Sequence, residues 1–242
     1  THRPTSAVPH LQTLAATTNF DGALVLRVLT ETGIREMSLK DYLVGVLLAE
    51  MPADFPEQAL MAQAVASRTF TLRQAEKEKH SSAHVCAQSA CCQGWRERWE
   101  YDEESVNRIC RAVEQTDGLV LTYNGALIEA TFFSCSGGQT ESAVAVWGGE
   151  LPYLQSVSSP GEEDAEPYEQ SVFLEKEYFA QLLRNAYPEI NLSGSPVGWF
   201  GAVSYTEGGG IDCLFIGGVP VTGTSLRSLL GLASTNITVE PS

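Results

Sequence analysis

The first sustained apolar run, Ala23-Leu-Val-Leu-Arg-Val-Leu29, reads as a strand. A Thr32-Gly33 turn returns it as a second strand over residues 34–37. From Ser38 the period changes. Leu39, Tyr42, Leu43, Val46 and Leu47 recur at helical spacing, with Ser38 in the N-cap position. That helix must stop near Glu50-Met51, because Pro52 disfavours helical geometry in the residue before it. A second helix follows. Asp54-Phe-Pro-Glu57 combines a capping side chain, an early Pro and a Glu three residues after the cap. It runs from 56 to about 79, is rich in Ala, and ends in charged, solvated residues. Residues 80–101 lose periodicity and concentrate His, Cys and Trp. A helix over Glu103–Gln115 precedes a hairpin, with strands at 118–123 and 126–133 joined by Asn124-Gly125. Next come a Ser/Gly loop at 134–142, an exposed acidic loop at 158–170 and a helix over 173–186. The tail from Gly198 alternates strands with Gly turns and carries a helix near 225–232. Residues 1–20, polar and small, read as a linker or arm, with one domain over 21–242. There is no internal repeat. This order of elements predicts an α+β fold rather than repeated βαβ units, with a helical pair packed against antiparallel hairpins and a groove between them.

Composition narrows the function classes. Of 242 residues, 43% are apolar, enough for a globular core, and Lys plus Arg count 15 against 30 Asp plus Glu. A net charge of −15 repels phosphate backbones and anionic membranes, so nucleic acid is not an expected partner. No apolar run reaches 18 residues. The first residues, Thr1-His-Arg-Pro-Thr-Ser, lack a signal-peptide pattern, as in a mature or trimmed chain.

The most informative stretch is Leu47-Leu-Ala-Glu50-Met-Pro-Ala-Asp-Phe-Pro56. Glu50 ends an apolar helix, the pole where the helix dipole disfavours a carboxylate. Leu47, Leu48 and Met51 add desolvation. Both effects predict a carboxyl that holds its proton more firmly than usual, as a general acid requires. The plainer alternative is an exposed helix-end Glu before a turn.

This stretch resembles the signature of the stage II sporulation protein D (SpoIID) family. In that family a helix ending in Ala-Glu-Met-Pro precedes a helix carrying Glu-Ala-Leu-Lys-Ala-Gln-Ala-Val-Ala-Ala-Arg-Thr-Tyr. Met61 stands here in place of the Lys and Phe70 in place of the Tyr. The likeness continues at Phe133-Ser-Cys-Ser-Gly-Gly-Gln-Thr-Glu141, Val146-Trp-Gly148, Leu151-Pro-Tyr-Leu154 and Gly231-Leu-Ala-Ser-Thr-Asn-Ile-Thr-Val239. It implies a lytic transglycosylase acting on peptidoglycan, with Glu50 as the catalytic acid that yields 1,6-anhydro ends. It further implies a membrane anchor upstream of residue 1 and an extracytoplasmic location, between the mother-cell and forespore membranes during engulfment. Its implied partners are a membrane component of the engulfment machinery and a cell-wall amidase that strips stem peptides first. Ordinary glycosidases need a second carboxylate. An attacking hydroxyl tethered to the substrate removes that need.

His80, His84, Cys86, Cys91 and Cys92 lie within thirteen residues. Thiolates with imidazole suit a four-coordinate structural zinc. A disulfide or unrelated free thiols would also account for the spacing, although the six cysteines do not pair obviously. The resemblance implies a zinc set of His80, Cys86, Cys91 and Cys92, with Cys91 replacing a usual His and His84 competing for the fourth position.

In the loop from Ser134, Cys135 as a nucleophile would need a base, yet all four His lie at or before residue 84. Gly137 and Gly138 permit close backbone approach. The resemblance places this loop along the catalytic groove, where Ser134, Cys135 and Gln139 would hydrogen-bond sugars and Trp147 and Tyr153 would stack on them. For Trp147, burial in the core is the alternative. On the second helix, Gln63 is a candidate for orienting the acid and Arg68 for pairing with a carboxylate of the protein or substrate. Ordinary helix-surface roles are the alternative for both. Three functions therefore compete: the transglycosylase, a non-catalytic wall-binding enhancer of an amidase, and a Cys135-dependent hydrolase.

Overall fold

The computed structural model describes residues 9–14, 19–163 and 168–241. The chain forms two compact units, Thr1–Phe132 and Phe133–Ser242, where the sequence reading expected one domain over 21–242. The architecture is α+β, with seven α-helices and three three-stranded sheets among the described residues.

The first unit is built around α2, Leu39–Glu50. Ser38 caps it by accepting from the Asp41 N–H, as predicted. Seven consecutive residues, Tyr42 to Leu48, are buried. A helix that is apolar on every side must be enclosed. It is packed by α3, Glu57–Glu76, and α4, Glu103–Gln115. A hairpin of β2, Val25–Thr30, and β3, Gly33–Ser38, precedes it. The two-residue strand β4, Val85–Cys86, joins β2 in parallel, placing Cys86 opposite Leu29.

The second sheet corrects two expectations. Residues 10–13 are not a linker. His10–Thr13 forms strand β1, paired antiparallel with β5, Leu119–Tyr123, because β5 leaves an edge of backbone donors and acceptors to be paired. Within the expected arm, residues 1–8 and 15–18 lie outside the described residues. The second hairpin strand is also short: β6 covers only Ala126–Leu127. The Arg73 guanidinium donates to the backbone Leu127 O at 2.7 Å, occupying a carbonyl at the end of the ladder, and to the Glu129 carboxylate at 2.8 Å. The short helix α1, Phe20–Ala23, docks beside this sheet through Asp117, whose carboxylate accepts the backbone N–H groups of Asn19, Phe20 and Asp21.

The second unit has a meander of β7, Phe200–Tyr205, β8, Ile211–Ile216, and β9, Val219–Thr222. It packs with α6, Lys176–Ala186, and α7, Gly223–Leu230, around Leu183, Trp199, Ile216 and Leu226. A short helix unforeseen from periodicity, Ala143–Trp147, is capped by Ser142 and ended by Gly148 at φ +72°. Five residues are too few to show a helical period.

Candidate active site and metal cluster

Glu50 is the last residue of α2, and the chain turns at Met51-Pro52 into α3. Two side chains secure this end. Tyr101 Oη donates to Leu48 O at 2.6 Å, satisfying a terminal carbonyl that the helix leaves open. Arg108 of α4 donates to Ala53 O and Phe55 O, both at 2.8 Å, clamping the turn between the helices.

The Glu50 carboxyl is half-buried, and its Oε1 accepts the Gly94 N–H at 2.6 Å. A Cβ on Gly94 would lie 2.8 Å from that oxygen, so only glycine permits this approach. The neighbouring Trp95 lies against Gly45 on α2, where a Cβ would fall 2.1 Å from the indole Nε1. Arg96 N donates to Gly45 O at 3.0 Å, and the Arg35 guanidinium sits 5.2 Å from the Trp95 ring. Glycine inside a helix costs about 1 kcal/mol relative to alanine. Here it admits the indole, and with it the backbone strap that reaches Glu50.

The same strap begins at a cluster of thiols. The ligand atoms of His80, Cys86, Cys91 and Cys92 all lie within 4.8 Å of one another. His80 Nε2 is 3.4 Å from Cys92 Sγ and 3.8 Å from Cys91 Sγ. Strand pairing fixes Cys86, and the N–H groups of Cys91 and Cys92 both donate to Gln88 O. Hydrogen bonding with Cys86 and Lys79 holds the Cys91 thiol below its ordinary value, whereas burial pushes Cys92 up to about 12. His84 does not belong to the cluster, since its Nδ1 accepts the Arg27 N–H at 2.9 Å. All six cysteines are free. Three thiols and one imidazole at these separations fit a four-coordinate soft metal ion, and the cluster could hold one. Gln93, next in the chain, is buried and accepts from Thr71 Oγ1 at 2.9 Å, anchoring the strap to α3.

Two other candidates lie in this unit, and one of them meets its expected kind of partner. Arg68 is fully buried. Its Nε and Nη2 donate to the Asp21 carboxylate, at 2.9 and 2.6 Å, and its other donors reach Leu119 O, Val113 O and Thr116 Oγ1. Arg68 thus takes a carboxylate of the protein, the first of its two expected partners, and ties α1 to α3 and α4. Gln63 donates to Ser67 at 3.1 Å, one turn along α3, rather than orienting Glu50.

Ser134, Cys135, Gln139 and Tyr153 belong to the second unit. Ser134 and Gln139 are exposed, and Cys135 and Tyr153 are partly buried. Gln139 Nε2 donates to Ser156 Oγ at 2.9 Å and to Glu207 O at 2.8 Å, and residue 139 pairs with Ser158. Trp147 is 59% exposed, which excludes the core alternative. A residue that the sequence reading passed over stands out: Glu162 Oε2 accepts from Ser136 N at 2.9 Å, Ser136 Oγ at 2.5 Å and Gly138 N at 3.0 Å. Burial disfavours this charge, but hydrogen bonds from Ser136, Gly138 and Ser159 outweigh it and hold the carboxyl down at about 2.

Comparison with known proteins gives these sites a context. Residues 29–123 match the profile of SpoIID, described as stage II sporulation protein. The chain is 33% identical over 212 residues to stage II sporulation protein D of Bacillus subtilis and 32% identical over 214 residues to that of Bacillus amyloliquefaciens. Each match covers 83% of this chain and 60% of the relative, so the chain spans less than two thirds of the length of these proteins. Over residues 29–123 the chain is similar to the SpoIID family. The matched SpoIID segment contains Glu50, Gly94 and all four cluster residues, and it stops before the Ser134 loop. A further relative, 38% identical over 112 residues, is the amidase enhancer of Bacillus subtilis, matched over 46% of this chain and 14% of its own. Among the described residues, no helix is long and apolar enough to cross a membrane.

Proposed function

We propose that this chain is a lytic transglycosylase that cleaves the bond between N-acetylmuramic acid and N-acetylglucosamine in peptidoglycan glycan strands. The observation that carries the reading is the Glu50 carboxyl, fixed by the Gly94 N–H at a clamped helix–turn–helix junction. One carboxyl suffices for the chemistry. Glu50 donates its proton to the bridging oxygen as the glycosidic bond breaks, and positive charge develops at the anomeric carbon. The carboxylate then accepts the proton of the muramic 6-hydroxyl as that oxygen bonds to the same carbon. The products are a 1,6-anhydro end and a free 4-hydroxyl, and Glu50 is again protonated. Gly94 holds the carboxyl throughout, while Arg108 and Tyr101 keep the end of α2 from fraying. Ser134, Cys135, Gln139 and Tyr153 are proposed to contact the glycan.

The thiol–imidazole cluster is proposed to hold one structural zinc, with His80, Cys86, Cys91 and Cys92 as ligands. When bound, the ion supplies a rigid crosslink at the origin of the strap that ends on Glu50. Denuded strands as substrate, an amidase and an engulfment membrane component as partners, and an anchored extracytoplasmic location belong to the same proposal. The deciding experiment is mass spectrometry of products from purified glycan strands. The wild type should release anhydromuramic ends and Glu50→Gln should not. Anhydro product from Glu50→Gln at the wild-type rate would reject the assignment.

A second reading is a non-catalytic module that binds the wall and enhances an amidase, supported by the likeness to the amidase enhancer. It predicts amidase stimulation that is unchanged in Glu50→Gln.

A further inference from the structure

The Ser134 loop is built to hold an anion. Gly137 and Gly138 both have positive φ, +77° and +94°, a conformation that turns successive N–H groups toward one point. The Ser136 N–H, the Gly138 N–H and the Ser136 hydroxyl converge on a single oxygen. The Cys135 thiol lies 3.8 Å from the same oxygen. Ser159 Oγ donates to the other carboxylate oxygen at 3.0 Å. No cation takes part in these contacts: a carboxylate is recognised by neutral donors alone.

The occupant comes from the chain itself, but its side chain does not assemble the turn. A separate backbone ladder does that work: Ser159 N donates to Gly138 O and Thr140 N to Val157 O, both at 2.9 Å. Beyond Ser159, Gly161 at φ +86° reverses the chain and lays Glu162 over the donors. The rim offers further polar groups. A Cβ on Gly137 would meet Asn236 Nδ2 at 3.3 Å, and one on Gly138 would meet the Tyr168 hydroxyl at 3.6 Å.

We infer that the Ser136–Gly138 turn is a carboxylate-binding site and that Glu162 is its internal occupant, displaced when a ligand carboxylate binds. Because one carboxylate replaces another, the donors stay satisfied and the local charge at the turn is unchanged. The intramolecular competitor sets a threshold, so an external carboxylate binds the wild type more weakly than it binds the emptied site. The ligand class is a sugar or peptide bearing a carboxylate. A lactyl ether on a sugar and a peptide C-terminus present the same group. This inference stands apart from the role of Glu50.

The test follows the Ser136 and Gly138 amide resonances of the full chain by NMR. Acetate added to Glu162→Ala should move both resonances saturably back toward their wild-type positions. N-acetylmuramic acid and D-alanyl-D-alanine then distinguish the two carboxylate sources. At least one should bind Glu162→Ala at a concentration tenfold or more below that required by the wild type. N-acetylglucosamine, which has no carboxylate, should leave both amides unmoved. The inference is overturned if acetate and both carboxylates fail to shift these amides in Glu162→Ala, or if the variant and the wild type respond at equal concentrations. Should Glu162→Ala lose the ladder, seen as loss of the Ser159 amide signal, Glu162→Gln keeps the shape without the charge. It must then respond at concentrations below those of the wild type, and an equal response rejects the site.

Discussion

The backbone N–H of Gly94 and the carboxyl of Glu50 meet at 2.6 Å, although 44 residues separate them in the chain. That bond makes the position of the acid testable apart from its presence. Glu50→Gln should reduce anhydro product by about 10²–10⁴-fold, the usual contribution of a general acid. Gly94→Ala keeps the acid but places a methyl 2.8 Å from its oxygen. The end of a flexible side chain can yield, so this variant should melt near the wild type while losing at least about tenfold in rate. Wild-type turnover by Gly94→Ala would show that the contact does not position the acid.

Arg68 and Asp21 should prove essential to the fold and irrelevant to glycan recognition. Removing one partner strands a buried charge, at about 3–5 kcal/mol. Asp21→Asn and Arg68→Met should each lower the denaturant midpoint accordingly. Folded Asp21→Asn at low temperature should bind glycan strands as the wild type does. Weakened binding with unchanged stability would restore Arg68 as a sugar contact.

The cluster should bind one zinc per chain, measured by elemental analysis. Cys86→Ser should abolish binding and lower the melting temperature by at least about 5 °C, roughly 2 kcal/mol for a chain of this size. His84→Ala should keep full zinc content, because His84 is already engaged with Arg27. Loss of zinc in His84→Ala with retention in Cys91→Ser would reverse the ligand assignment.

Glu162 has a folded-state carboxyl depressed to about 2 from an ordinary 4.5. Its hold on the Ser136 and Gly138 amides is therefore complete above about pH 4.5 and is lost as pH falls toward 2. The protection of the Ser136 and Gly138 amides, corrected for intrinsic exchange at each pH, should fall across that window in the wild type. Glu162→Gln should show no such step.

Periodicity and capping made the helices legible. The Ser38 cap, the Pro52 stop and the apolar spacing between them placed α2, and the helix expected over Glu103–Gln115 is found there. Residue type pointed to a thiol–imidazole cluster, but the family resemblance, not the spacing, singled out His80, Cys86, Cys91 and Cys92, whose ligand atoms do converge. Contacts set by distant backbone were not. Gly94 and Gly45 look like loop and helix glycines until Trp95 and Glu50 are placed against them, although a glycine inside so apolar a helix was a signal. Residue type pointed Arg68 to a carboxylate, but which one was not legible, because the acceptor, Asp21, lies 47 residues away. Glu162 sat in an acidic stretch that reads as solvated, and only the two glycines opposite it hinted at a cradle.

His10–Thr13 closes one side of the β1–β5–β6 sheet with four exposed residues. A shortened chain starting at Phe20, which the linker reading would recommend, would strip that cover and leave β5 as a bare edge. Open edges recruit strands from other molecules. Such a truncation should self-associate, and any loss of activity would then reflect clumping rather than damaged chemistry.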